Sequence, residues 1–396
     1  MTRRWFAPSA QRMRSDLPGL TARAMTGLAI IALLAFVAAL VLHYLSPSVG
    51  PAFVHAIMAI GILPLIMGAM MYFTPVLTHS RTAPWHILMV PLLALLAGLL
   101  VTASLLWRRE LLPVPAALAF LAASVLLGWM WMRARAMLGH PHPGFEWYRW
   151  ALICLLLGLM AISIALIQPA SWTAWRRFHL HINLLGFVGL TAYGTLRVLV
   201  PTVAGYADPD ARTRLRSDLY LAVAGSLLVA AGSAWLTWLV WPGLVLWLIP
   251  LLRFASSIVL RWRKQVWGWH RAGASLGAAI FGLIAVLLTA GFHAVGVASP
   301  ASILSMFFFA FLFPLVTGAV SYLLPVWLFP VRTTSAYEKT ARVLAWGSGA
   351  RSLVFLAAAA MAWLSPLWAI YLALIGVVAF LLPVSWALWT GFGARR

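Results

Sequence analysis

Apolar runs of roughly twenty residues, separated by short polar connections, recur from residue 24 to residue 390. Each run is long enough to cross a hydrocarbon core as a helix. Twelve segments are predicted, at about 24–45, 52–77, 86–107, 114–133, 149–169, 178–201, 217–241, 243–261, 271–291, 302–325, 342–364 and 366–390. The connections are short and carry Pro and Gly, as in Ser46-Pro47 and Trp241-Pro242-Gly243. The pattern predicts an all-α membrane protein, a single polytopic domain over 1–396 with no extramembrane domain.

The even-numbered segments share a second pattern. In the second, His55 is followed by Gly68 at plus thirteen and Pro75 at plus twenty. In the sixth, His181 is followed by Gly194 and Pro201 at the same offsets, and in the tenth Ser305 by Gly318 and Pro325. Segments two and ten also share Pro64 and Pro314 at plus nine, and Tyr72 and Tyr322 at plus seventeen. Four segments separate each reference position from the next. The repeat predicts three four-helix units with pseudo-threefold symmetry, at about 24–148, 149–265 and 266–396.

Composition strengthens the membrane reading: 64% of the chain is apolar and 9% is charged, too little polar surface for a soluble domain. The seven acids, Asp16, Glu110, Glu146, Asp208, Asp210, Asp218 and Glu338, fall at or outside segment ends, which argues against a proton pump or cation carrier built on buried carboxylates. The net charge of +21 follows the topology. One set of loops holds Arg81, Arg133, Arg135, Arg149, Arg212, Arg214, Arg216, Arg261, Arg263, Lys264, Arg271, Arg332, Lys339 and Arg342, and the termini add Arg3, Arg4, Arg12, Arg14, Arg23, Arg395 and Arg396. The other side holds Arg108, Arg109, Arg176 and Arg177. Positive charge faces the cytoplasm, so both termini are expected inside a bacterial-type inner membrane. The partner implied is lipid and not nucleic acid. The single Cys154 excludes an intrachain disulfide and a cysteine-based zinc site. The first 23 residues run straight into a full-length span without a cleavage pattern.

The sixth segment opens Phe178-His179-Leu180-His181. Ionisable, metal-ligating side chains inside a bilayer point to function. Residues i and i+2 of a helix project about 200° apart, so His179 and His181 face two crevices, and one of them can pair with His55 at the same depth. Two imidazoles from facing helices hold a six-coordinate haem iron. Arg176 and Arg177 stand next to the histidines, placed for haem propionates, and Arg108 and Arg109 are placed likewise. His43, His79, His86, His270 and His293 read as interfacial helix ends, and His140 and His142 as a solvated loop. Met67, Met70 and Met71 form the one methionine cluster, read as packing, though a copper path uses the same residue type.

His179-Leu180-His181 with Asn183-Leu184-Leu185-Gly186-Phe187-Val188, Gly194-Thr195-Leu196 and Pro201 resembles the His-x-His helix of the haem-copper oxidase subunit I superfamily. Twelve helices in three arcs of four resemble that subunit's architecture. The nitric-oxide-response haem membrane proteins of the NnrS type are a shorter relative of similar layout. The resemblance implies that His55 and His181 ligate a low-spin haem b and that His179 faces a second haem or a copper. The chain departs from the oxidases in two ways: its His-x-His lies in the second unit instead of the third, and its seventh segment has no histidine. A complete oxygen-reducing, proton-pumping centre is therefore not expected.

The leading expectation is an integral membrane b-type haem protein without the full binuclear centre. It would serve electron transfer or the handling of nitric oxide or another diatomic gas, beside respiratory-chain subunits or cytochrome c, with an oxidoreductase subunit as the enzymatic version. The alternative is a copper or haem transporter or assembly factor. A third reading is a structural subunit with vestigial histidines.

Overall fold

The computed structural model describes residues 7–206, 208–329 and 331–393. Arg3, Arg4, Arg395 and Arg396, part of the predicted charge bias, lie outside them. Among the described residues there is no strand, and twelve helices are long and apolar enough to cross a membrane. These are α1 Gly19–Leu45, α2 Gly50–Leu77, α3 Trp85–Trp107, α4 Arg109–Arg135, α5 Gly144–Ile167, α6 Pro169–Ala204, α7 Ala211–Ala234, α8 Thr237–Arg261, α9 Ala272–Ala294, α10 Pro300–Leu328, α11 Ser335–Leu364 and α12 Pro366–Gly391. Large apolar side chains such as Leu34, Leu99, Leu121, Leu252 and Leu288 remain exposed around the bundle, where they meet lipid. The chain is a multi-pass membrane protein.

Two connections differ from the sequence reading. The turn expected at Trp241-Pro242-Gly243 lies upstream, after Ala234. Pro242 becomes the third residue of the regular helix Val240–Arg261, where its missing N–H leaves no hydrogen bond unmade. The eleventh span is broken. A polar helix, Ser335–Ala345, precedes Gly347, whose left-handed φ of 67° admits a residue without Cβ most readily. The apolar helix Ser348–Leu364 follows.

Helix contacts recur with a four-helix period. The second helix of each predicted unit packs on the first and third: α2 on α1 and α3, α6 on α5 and α7, α10 on α9 and α11. The first helix of each unit also touches the second helix of the unit before it, as α5 does α2, α9 does α6 and α1 does α10. Each of these second helices carries a π-helical stretch at one register: Ala56–Ile62 in α2, Ile182–Gly189 in α6 and Phe307–Leu312 in α10. Such widened turns favour functional sites. Pro64 and Pro314 follow two of them, but α6 has Leu190 at that position, so proline is not their common cause.

The two ends of the bundle differ. One end carries His55, His179, His181 and His293 and is called the histidine face. The opposite end carries most of the arginines. At the arginine face, charge is buried. Arg197 of α6 lies 3.2 Å from Asp208, each side chain 2% exposed, and its guanidinium covers the Phe254 ring at 4.8 Å. Arg261 of α8 reaches Asp210 at 2.9 Å and Asp208 at 3.9 Å. Asp218 lies two turns inside α7 and is fully buried, not at a segment end. It accepts from the Tyr193 hydroxyl at 2.7 Å and from Arg253 at 3.0 Å. These contacts clamp α6, α7 and α8 together.

Candidate functional site

Four histidines converge at the histidine face on three helices. His55 sits on the second turn of α2, His179 and His181 precede the π-helical stretch of α6, and His293 lies in the last turn of α9. The rings of His55 and His179 are close to parallel, with centroids 6.5 Å apart and planes at 12°. The residues alone left open which of His179 and His181 meets His55, and the family resemblance implied His181; the ring facing His55 is that of His179. The cause is the seating of α6 on α5. His179 Nδ1 is 2.8 Å from the Gly158 carbonyl of α5, and α5 is the helix that touches α2. His181, projecting to the other side, turns away from that pair. It lies within electrostatic reach of His293, on α9, which packs against α6.

All four rings are tied by Nδ1 to a backbone carbonyl: His55 to Pro51 at 2.8 Å, His179 to Gly158 at 2.8 Å, His181 to Arg177 at 2.8 Å and His293 to Ala298 at 3.1 Å. A carbonyl only accepts, so Nδ1 carries the proton and donates. Nε2 of each neutral ring keeps its lone pair. This is the tautomer that offers Nε2 to a metal, oriented by the second hydrogen bond.

Gly158 and Asn183 support His179. The Asn183 amide donates to the His179 carbonyl at 2.7 Å, while its Oδ1 is buried without a partner. A Cβ on Gly158 would stand 3.0 Å from Ile182 Cγ2 and against the Asn183 amide. Gly158→Ala is therefore expected to push α6 from α5, costing about 1–3 kcal/mol and releasing His179 from its carbonyl. A lowered melting temperature that Asn183→Ala partly restores would be the signature; an unchanged one would mean that the helices already have slack.

Arg176 and Arg177 are exposed beside the histidines, and the Arg177 carbonyl holds His181. Arg108 has Glu110 at 3.6 Å, an exposed pair worth little. The third unit is closed where the others carry histidines. Its stretch Phe307-Phe308-Phe309 is buried, and Phe308 meets Phe53 of α2 edge-on at 5.8 Å. Among the described residues no group of three or more His, Cys, Asp or Glu is placed to hold a metal ion; of these histidines, His55 and His179 stand as a ring pair.

The remaining candidates have ordinary surroundings. Met67, Met70 and Met71 are wholly buried in the core. Cys154 is buried against Gly186. His43 stacks on Phe53 at 4.6 Å and His270 on Trp346 at 5.7 Å. In the loop before α5, His142 Nδ1 accepts the Gly144 N–H at 3.2 Å. Burial, Arg212 and His79 push its imidazole below the usual range, so it stays neutral. Sequence reasoning missed His293 and Asn183. Alternation of helix direction was the available signal for His293: the end of segment nine and the start of segment six share a face.

No protein-family model matches the chain. A stretch of 79 residues is 33% identical to cytochrome c oxidase subunit 1 of Thermus thermophilus, covering 20% of this chain and 73% of that sequence. By that similarity, which spans a fifth of its length, this membrane protein belongs to the cytochrome c oxidase subunit 1 family.

Proposed function

We propose that the chain is a membrane b-type haem protein in which His55 and His179 hold one haem, and that it carries electrons in the membrane. The observation that carries this reading is the parallel ring pair. Two imidazoles that share one metal, with metal–nitrogen bonds of about 2 Å, would have ring centres roughly 6 Å apart. The 6.5 Å separation at 12° leaves that room. Both Nδ1 atoms are already committed to carbonyls, so both Nε2 atoms are free to ligate. A haem bound there supplies one-electron redox chemistry tuned by its axial ligands and their hydrogen bonds. The chain's own part is to fix the ring planes, set the ligand basicity through Pro51 and Gly158, and exclude water with the flanking helices. Arg176 and Arg177 are proposed as propionate partners, since planar guanidinium suits carboxylate.

The second pair, His181 and His293, is proposed for a second haem or a copper ion. With His55 and His179 both taken up in holding one haem, nitric oxide or another diatomic gas would be handled at the second pair. The charge bias of the loops supports an arginine face on the cytoplasmic side of a bacterial-type inner membrane. Respiratory-chain subunits or cytochrome c are the proposed redox partners. The transporter reading draws less support, because Met67, Met70 and Met71 are wholly buried core residues.

The deciding measurement is the oxidised and dithionite-reduced spectrum of the purified protein with a pyridine haemochrome assay. A sharp reduced b-type band at stoichiometric haem is expected; well-folded protein free of haem would sink the proposal and favour copper or haem handling. His293→Ala is expected to leave that band in place and to remove about half of the total bound haem, or the bound copper, if the second pair is occupied. Loss of the main band in His293→Ala would reverse the assignment of the two pairs.

A further inference from the structure

Three arginines of the candidate membrane spans stand apart from the loop arginines: Arg197, Arg253 and Arg351, the first and last of them buried. Two of them have carboxylates, Arg197 with Asp208 and Arg253 with Asp218. Arg351, in the first turn of the helix Ser348–Leu364, is 7% exposed, and among the described residues no carboxylate pairs with it. Its Nη2 makes only long contacts to hydroxyls, Ser321 Oγ at 3.4 Å and Ser348 Oγ at 3.5 Å. Its Nε has no partner, and its guanidinium lies over the Phe380 ring at 4.2 Å. An unneutralised buried charge is costly, and a ring face and two serines replace only part of a counter-ion.

Ser321 connects Arg351 to a cavity. At the arginine face a recess of about 210 Å³ opens among α6, α9, α10 and α11. That is room for roughly seven waters at about 30 Å³ each. Its lining includes Ser321, Tyr322, Tyr337, Gln265 and Arg271, and no acid. Tyr322 is hydrogen-bonded to Arg332, which brings a further cation to the rim. Arg271 has one backbone partner, the Gln265 carbonyl at 3.3 Å. The recess therefore offers hydroxyl donors and two rim guanidiniums, with a third guanidinium behind Ser321 whose field is little screened in the low-dielectric interior.

We propose that this recess binds a phosphate-type anion that serves as the missing counter-ion of Arg351, held by Arg271, the Tyr and Ser hydroxyls and the field of the buried guanidinium. Basic pockets between membrane helices take phospholipid headgroups in the same way; free inorganic phosphate presents the same oxygens. The proposal rests on no part of the haem reading, because the recess lies at the opposite end of the bundle from the histidines.

The test uses the full-length protein, purified in neutral detergent and delipidated. Phosphatidylglycerol, phosphatidylcholine and inorganic phosphate are titrated separately at matched ionic strength, with melting temperature and native mass spectrometry as readouts. Phosphatidylglycerol is expected to add one retained molecule and raise the melting temperature, and phosphatidylcholine to do neither. A response to phosphatidylglycerol alone assigns the headgroup; a response to inorganic phosphate as well assigns the free anion. Arg271→Gln, at an exposed position, is expected to fold as the wild type does and to weaken the response about fivefold, and Arg271→Gln with Ser321→Ala further. Absence of any response in the wild-type protein, or an equal response in both variants, would overturn the proposal.

Discussion

His179→Ala is expected to abolish the reduced b-type band completely, and His55→Ala to do the same, while His181→Ala retains it. The two lost ligands belong to one ring pair, with centroids 6.5 Å apart and planes at 12°, so removing either leaves one imidazole where two are needed. The effects are expected to be non-additive: the double variant His55→Ala, His179→Ala loses no more than either single one, as for residues that act as a unit. Reduced-minus-oxidised spectra of the three single variants and the double variant decide it. The contrast with His181 separates this geometry from the pairing that the family resemblance implies. If His181→Ala loses the band and His179→Ala keeps it, the His55–His179 pair is only a packing contact. Retained fluorescence-detected size-exclusion profiles would show that the variants still fold, because no apolar core contact is removed.

The second large effect is expected at the arginine face. Asp208→Ala should destabilise the protein by about 3–5 kcal/mol, the magnitude for breaking a buried ion pair from one side. Asp208 and Arg197 are each 2% exposed and 3.2 Å apart. Their contact is of ion-pair length but lacks hydrogen-bond alignment, since Asp208 Oδ2, Arg197 Nε and Arg197 Nη1 have no hydrogen-bond partner. Removing the carboxylate leaves a guanidinium supported only by the face of Phe254. The apparent melting temperature in detergent should drop by roughly 10 °C. Replacing both partners, as Arg197→Met with Asp208→Leu, should recover most of the loss, because an apolar pair of similar volume pays no desolvation. If Asp208→Ala melts like the wild type, the neighbouring Asp210 or water already compensates Arg197.

The segment count, many of the segment ends and the shared Gly and Pro spacing of the second, sixth and tenth helices follow from local pattern, whereas the ends around the sixth to eighth and the start of the eleventh spans shift by six to nine residues. A bilayer forces each span to satisfy its own backbone, so length and hydropathy identify spans one at a time. The histidines of α2 and α6 were legible for the same reason: a polar group amid apolar neighbours is conspicuous in one dimension. The tertiary structure decided what could not be local. Which of His179 and His181 meets His55 depends on the rotation of α6, and that rotation is set by the Gly158 carbonyl and the bare Gly158 surface of α5. His293 comes within electrostatic reach of His181 only because α9 packs on α6. Asp218 moved from a segment end to a buried acceptor once α7 was found to begin at Ala211. Arg351 is set apart from Arg197 and Arg253 only by which helices bring carboxylates to them. Hydrophobic length thus determined how the chain crosses the membrane, whereas helix rotation and neighbour identity, which arise from packing between residues far apart in sequence, decided which polar groups meet.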